Sequence, residues 1–217
     1  MSEQKSSVML IDDHPLLRKG LKQLLALEDD LEVIAEASSG AEAIPLATEL
    51  DPDLIILDLN MQGMDGIATL KKLRDEGVTS RIVMLTVSDA DEDVVNAISN
   101  GADGYLLKDS DPELLLEHIK RALTGKMVLS EAVTQVLATA LRRPAVKNPA
   151  ELNSLTNREY EILSFIAKGL SNKLIARELN ISDGTVKVHV KHLLKKLGLR
   201  SRVEAAVWMV NQQGNKV

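Results

Sequence analysis

The strongest constraint on this chain is a rhythm in its first 125 residues. Five short apolar runs are each followed by a stretch with helical spacing. The runs are Val8-Met9-Leu10-Ile11, residues 31–37 around Val33 and Ile34, Leu54-Ile55-Ile56-Leu57, residues 82–85, and Tyr105-Leu106-Leu107. Short apolar runs bounded by polar residues read as strands buried on both faces. Between them, helical spacing is carried by Leu17, Leu21, Leu24 and Leu25, by residues 40–50, by Leu70 and Leu73, by Val94, Val95 and Ile98, and by Leu115, Leu116 and Ile119. Pro15 and Pro112 suit the first turns of two of these helices. Pro45 falls inside another, where it removes a backbone bond and predicts a kink. Strict alternation of this kind predicts a flavodoxin-like α/β unit: five parallel strands, right-handed crossovers, and helices on both faces.

In such a sheet the ligand site lies outside the carboxyl ends of the strands. The polar residues that close the runs are Asp12 and Asp13, Asp58, Thr86 and Lys108, and the topology brings all five to that edge. Three carboxylates meeting there repel one another unless a cation joins them or their pKa values rise. All-oxygen ligands suit Mg²⁺. With its charge screened, Asp58 would act as a nucleophile towards a phosphoryl group and form an acyl phosphate. Lys108 and Thr86 would then hold phosphoryl oxygens. Taken singly, these residues have plainer roles: Asp12 or Asp13 as a helix cap, Asp58 as a strand-end turn residue, Lys108 as a surface lysine. Their joint placement favours the shared site.

Charge divides the chain. Residues 1–125 carry 11 Lys/Arg against 25 Asp/Glu, and residues 153–217 carry 11 against 5. An acidic half suits metal ions and a basic half suits nucleic acid. Residues 127–141 read as a further helix, and 142–149, with two prolines and no periodicity, as a linker. We therefore divide the chain into residues 1–124, a linker helix and flexible linker over 125–152, and a second domain over 153–217. That last part has purely helical spacing. Ser154 or Thr156 would cap its first helix, Ser171 a short second one, and Ser182 a longer third that Gly198 ends. The second and third form a helix-turn-helix pattern. Val186, Val190, Leu193 and Leu197 share one face of the third and should pack inward. Lys187, Val188, Lys191, Lys195 and Lys196 remain outside, where lysines neutralise DNA phosphates and valine meets a thymine methyl. A solvated basic face is the plain alternative, and the turn pattern argues against it. His189 and His192 have no third ligand nearby and read as ordinary polar residues.

Residues 6–124 resemble the receiver domain of two-component response regulators. The resemblance rests on Ile11-Asp12-Asp13-His14-Pro15, Leu57-Asp58-Leu59-Asn60-Met61, Thr86, and Asp103-Gly104-Tyr105-Leu106-Leu107-Lys108. It implies that a sensor histidine kinase phosphorylates Asp58. It also implies Mg²⁺ held by Asp13, Asp58 and the carbonyl of Asn60, with Asp12 close by, and a switch pair in Thr86 and Tyr105. Gln62 and Asp109 stand where many receivers have proline. Residues 153–213 resemble the LuxR-type helix-turn-helix, through Leu155-Thr156-Asn157-Arg158-Glu159, Gly169-Leu170-Ser171-Asn172-Lys173-Leu174-Ile175-Ala176 and Thr185-Val186-Lys187-Val188-His189-Val190. That likeness implies double-stranded DNA as partner, with contacts from Thr185, Lys187, Val188, Lys191 and Lys195. It implies a homodimer in the phosphorylated state, formed through the last helix at Val203, Ala206, Val207 and Val210. As a whole the chain is similar to the nitrate- and nitrite-responsive regulators of this family.

The expectation is a transcription factor, not an enzyme, beyond whatever part it plays in gaining and losing its own phosphoryl group. The receiver should cover the recognition helix until Asp58 is phosphorylated. Two rivals are a Mg²⁺-dependent phosphatase with Asp58 as nucleophile and a DNA-binding protein indifferent to phosphate. The first wants a second carboxylate two residues on, where Asn60 stands; the second leaves five phosphate-handling positions unexplained. Without cysteine there is no disulfide or thiolate site. With a polar start and no run long enough to span a bilayer, a cytoplasmic protein with no membrane partner is expected.

Overall fold

The structure is a computed structural model that describes residues 5–123, 128–129 and 155–214. Its strands are β1 (Ser6–Ile11), β2 (Leu31–Ala37), β3 (Leu54–Asp58), β4 (Arg81–Thr86), β5 (Gly104–Leu107) and β6 (Val128–Leu129). Between them run α1 (Pro15–Leu25), α2 (Gly40–Leu50), α3 (Gly66–Asp75), α4 (Asp91–Ser99) and α5 (Pro112–Leu123). All pairings are parallel, in the order β2-β1-β3-β4-β5-β6. The order reverses at β1, which places a crevice between the carboxyl ends of β1 and β3.

Alternate residues of the strands feed two cores. Ile55 and Leu57 of β3 pack with Met9, Met84 and Tyr105 against Leu70 and Leu73 of α3 and Val94 of α4. Leu54 and Ile56 face the other way, with Leu10, Leu85 and Leu106, towards Leu21 and Leu25 of α1 and Leu115 and Ile119 of α5. Every residue of β3 is buried, as an unbroken apolar run in a sheet covered on both faces requires. Each such leucine or isoleucine stabilises the fold by about 1.5–3 kcal/mol.

Two local expectations are adjusted. The helix expected over 127–141 does not begin there. Val128 and Leu129 instead pair with Gly104 and Tyr105 as a two-residue sixth strand, because the open edge of β5 offers unpaired backbone groups. The rest of that stretch, and the linker at 142–149, lie outside the described residues. Pro45 sits inside α2, which runs from Gly40 to Leu50. Neither Asp12 nor Asp13 caps α1. Its N-cap is His14, with no side-chain cap bond.

The C-terminal helices are α6 (Asn157–Ala167), α7 (Asn172–Leu179), α8 (Asp183–Leu197) and α9 (Arg202–Gly214). Thr156 caps α6 in a capping box with Glu159, Ser171 accepts from Leu174 N, and Ser182 accepts from Thr185 N. Asn180 turns the chain between α7 and α8 in the left-handed region, and Gly198 ends α8 the same way. The expected inward face of α8 is fully buried, with Val186, Val190, Leu193 and Leu197 at 0 % exposure. They pack against Ile162, Leu163 and Ile166 of α6 and Ala205 and Met209 of α9.

Candidate functional site

Register builds the acidic site. Ile11 pairs with Leu57, Asp58 with Leu85, and Thr86 with Leu107. The residues that follow or end these strands therefore emerge together. Lys108 Nζ lies 2.8 Å from Asp12 Oδ2 and 2.8 Å from Asp58 Oδ2. Asp58 Oδ1 accepts from the backbone N–H of Asn60 at 3.2 Å, and Asp13 Oδ2 from that of Gln62 at 2.9 Å. Gln62, where many receivers have proline, thus uses an N–H that proline lacks.

Asp58 and Asp12 are buried, and the site is electrostatically tense. Burial pushes the Asp58 carboxyl up, Lys108 pulls it back, and the Asp12 charge pushes it up again, with a net rise. Asp13 Oδ1 is buried and faces the His14 ring. Carboxylate oxygens converging in one pocket are what a hard divalent cation needs. His14 joins them: its Nδ1 is 2.9 Å from Asp13 Oδ1, 3.3 Å from Asp12 Oδ1 and 3.9 Å from Asp58 Oδ2. Asp12, Asp13, His14 and Asp58 offer ligand atoms all within 4.8 Å of one another. His14 has no role in the sequence pattern beyond its position directly after the acidic pair, which is the one signal of its place here.

Thr86 and Tyr105 are connected. Asn60 Nδ2 donates to Thr86 Oγ1 at 3.4 Å, and Thr86 Oγ1 accepts from Ser88 N at 3.1 Å. Buried Tyr105 donates its hydroxyl to Ser88 O at 3.0 Å, and burial with the nearby Asp93 charge raises its pKa to about 12. Ser88 therefore links Thr86 to Tyr105, a contact with no separate signature in the sequence.

The basic helix meets the receiver at the opposite, amino-terminal edge of the sheet. Lys187 Nζ donates to Asp51 O at 2.6 Å and lies 3.3 Å from the Asp51 carboxylate and 4.0 Å from that of Asp53. Lys173 of α7 pairs with Asp53 at 3.1 Å. Lys191 lies against Gly77, where a Cβ would stand 2.6 Å from Lys191 Cε. Arg200 donates to Asn100 Oδ1 at 3.2 Å. These receiver positions sit in the loops before β3, β4 and β5. Arg74 braces two of those loops, donating to Val78 O, Ser80 O, Gly101 O and the Asp103 carboxylate. Cover of the helix is partial: Val188 is 53 % exposed, and Thr185, Lys191 and Lys195 also reach the surface. On α9, Ala205 and Met209 point inward while Val210 is 56 % exposed and Val203, Ala206 and Val207 are half-buried. His189 and His192 join no described cluster of three or more metal-ligating side chains. No described helix is long and apolar enough to cross a membrane.

Residues 8–120 match the family model of the response regulator receiver domain, and residues 153–209 that of bacterial regulatory proteins, luxR family. The chain is 55% identical over 208 residues to the nitrate/nitrite response regulator protein NarL of Escherichia coli K12, covering 96% of each. It is 54% identical over 207 residues to NarP of the same organism, covering 95% of each. Among solved structures it is similar to the response regulator ChrA of a heme-sensing two-component system, at 35% identity and a TM-score of 0.51, over 96% of this chain and 98% of that one.

Proposed function

This chain belongs to the family of two-component response regulators that carry a LuxR-type DNA-binding domain, and from that premise we propose that phosphorylation of Asp58 by a sensor histidine kinase switches its binding to double-stranded DNA. The observation that supports the reading is the contact of the basic helix with the receiver: Lys187 is bonded to Asp51, and Lys191 lies against Gly77.

Asp58 attacks the phosphorus of the donor, the bond from phosphorus to the kinase imidazole breaks, and a carboxyl phosphate forms. Asp13 and Asp58, with Asp12 close by and the carbonyl of Asn60, are the residues that would hold Mg²⁺. When bound, the ion supplies positive charge that lets a phosphoryl dianion approach a carboxylate. Lys108, which lies between Asp12 and Asp58, would take a phosphoryl oxygen. Thr86 would give its hydroxyl to another and so leave Asn60 and Ser88. Tyr105 follows through Ser88. At its far end α4 leads into Asn100, which holds Arg200, so a shift of α4 disturbs the docked helix. A free DNA-binding domain then pairs with a second copy through Val203, Ala206, Val207 and Val210.

Similarity to the nitrate/nitrite response regulators supports a role in nitrate- and nitrite-responsive transcription, in the cytoplasm. The domain boundaries we propose are 1–124, 125–152 and 153–217. The test is DNA affinity with and without a small phosphodonor, in wild type and Asp58→Asn. Wild type alone should respond. Equal binding with and without the donor, at full Asp58 occupancy, would refute the switch.

A further inference from the structure

Beside the docked helix, both domains enclose a cavity of about 40 Å³. That is room for about three waters, or for one inorganic oxyanion. Ser80 and Arg81 line it from the receiver, and Asn172, Lys173, Lys187 and Arg202 from the DNA-binding domain.

The cavity is short of negative charge. Ser80 Oγ and Arg81 Nη2 are both buried and have no hydrogen-bond partner. Arg81 uses its other terminal nitrogen on Ala122 O. Arg202 is 7 % exposed, and its donors go to Asn172 Oδ1 and Leu170 O, both uncharged. No ion pair with a carboxylate is formed by either guanidinium among the described residues. Burial and the neighbouring Arg81 charge push Arg202 down to about 9, against an opposing pull from the Asp103 charge. Asp53 is the one carboxylate in the lining, and it is committed to Ser7 N, Ser7 Oγ and Lys173. Asp103 and Asp53 attract these guanidiniums from nearby but are bonded to Arg74 and Lys173, so two buried cations close together remain costly. The same low-dielectric setting favours an anion that can reach both.

We propose that this cavity binds a small inorganic oxyanion, of the phosphate, sulfate or nitrate type, which bridges Ser80 and Arg81 of the receiver to Arg202 of the DNA-binding domain. Guanidinium forks and a hydroxyl are suited to oxyanion oxygens. Because its walls come from both domains, the site exists only when they are docked. The anion therefore favours the docked state and opposes DNA binding. This inference rests on the docked arrangement described above.

The test uses the full unphosphorylated chain, which has no native cysteine, with spin labels at Glu49→Cys and Glu178→Cys. Inorganic phosphate, sulfate and nitrate are titrated against chloride at constant ionic strength. Calorimetry reads binding, and the label distance reads docking. One of the three should bind saturably at one per chain, narrow the distance distribution and weaken DNA binding in step. Ser80→Ala, a near-isosteric change, should lower its affinity severalfold, and Arg81→Gln at least tenfold. Docked domains without saturable binding beyond chloride would overturn the site alone. Binding that both variants leave intact would also overturn it, by locating the anion elsewhere. Undocked domains at every anion concentration would overturn the docked arrangement and the site together.

Discussion

Asp51→Asn isolates one charge in the contact between receiver and recognition helix. Asp51 ends α2 with φ 44° and ψ 59°, the left-handed region, where asparagine is at least as comfortable as aspartate. The backbone should therefore keep its place, and with it the bond from Lys187 Nζ to Asp51 O. What disappears is the carboxylate 3.3 Å from Lys187, a pair whose side chains are 43 % and 17 % exposed. Partly exposed ion pairs contribute about 0.5–1 kcal/mol. Losing one should shift the docked–undocked equilibrium about two- to fivefold. If the unphosphorylated protein is mostly docked, its apparent DNA affinity should tighten by that same factor. Fluorescence anisotropy on a target duplex measures it. The gain should shrink as salt rises, because the Debye length falls from about 10 Å at 0.1 M to about 3 Å at 1 M. The phosphorylated protein, already undocked, should bind as tightly with or without the substitution. Unchanged affinity in the unphosphorylated form, or an equal gain in both forms, would refute the reasoning.

Other expectations follow from the same contacts. Asp58→Asn removes a carboxyl whose folded pKa is raised by burial and by Asp12. A raised acid weakens folding as pH climbs through the folded value, so the variant should gain stability of order 1 kcal/mol at pH 7. That gain should vanish near pH 3, as thermal melts at the two pH values would reveal. Thr86→Ala deletes a fully buried hydroxyl held between Asn60 and Ser88. It should still take phosphate on Asp58 yet lose most of the phosphorylation-dependent rise in DNA affinity, measured by phosphate incorporation alongside binding. Val210→Asp changes an exposed residue of α9. It should move stability by less than about 0.5 kcal/mol while abolishing the phosphorylation-dependent dimer in sedimentation velocity. Arg74→Met strands the Asp103 carboxylate, which also accepts from Ile82 N. Its loss should cost about 3–5 kcal/mol in chemical denaturation.

Much of this protein was legible in the order of its residues. Apolar runs of four at 8–11, 54–57 and 82–85, each closed by a polar residue, dictate a doubly covered parallel sheet, because that arrangement buries both faces of its inner strands. The sheet's polarity then forces Asp12, Asp13, Asp58, Thr86 and Lys108 to one edge. The inward stripe of α8 and the caps at Thr156, Ser171 and Ser182 are equally local, since helical period and orphan N–H groups are properties of neighbouring residues. Tertiary structure alone decided the rest. His14 leans over the acidic pocket because the turn after β1 ends there, and Ser88 joins Thr86 to Tyr105 only once β4 and β5 pair. Val128 and Leu129 become strand because β5 leaves an edge open. Asp51 and Asp53 meet Lys173 and Lys187 across more than a hundred residues. No spacing in a sequence encodes such a meeting: it depends on how two separately folded surfaces fit, and charge balance gives its sign but not its place.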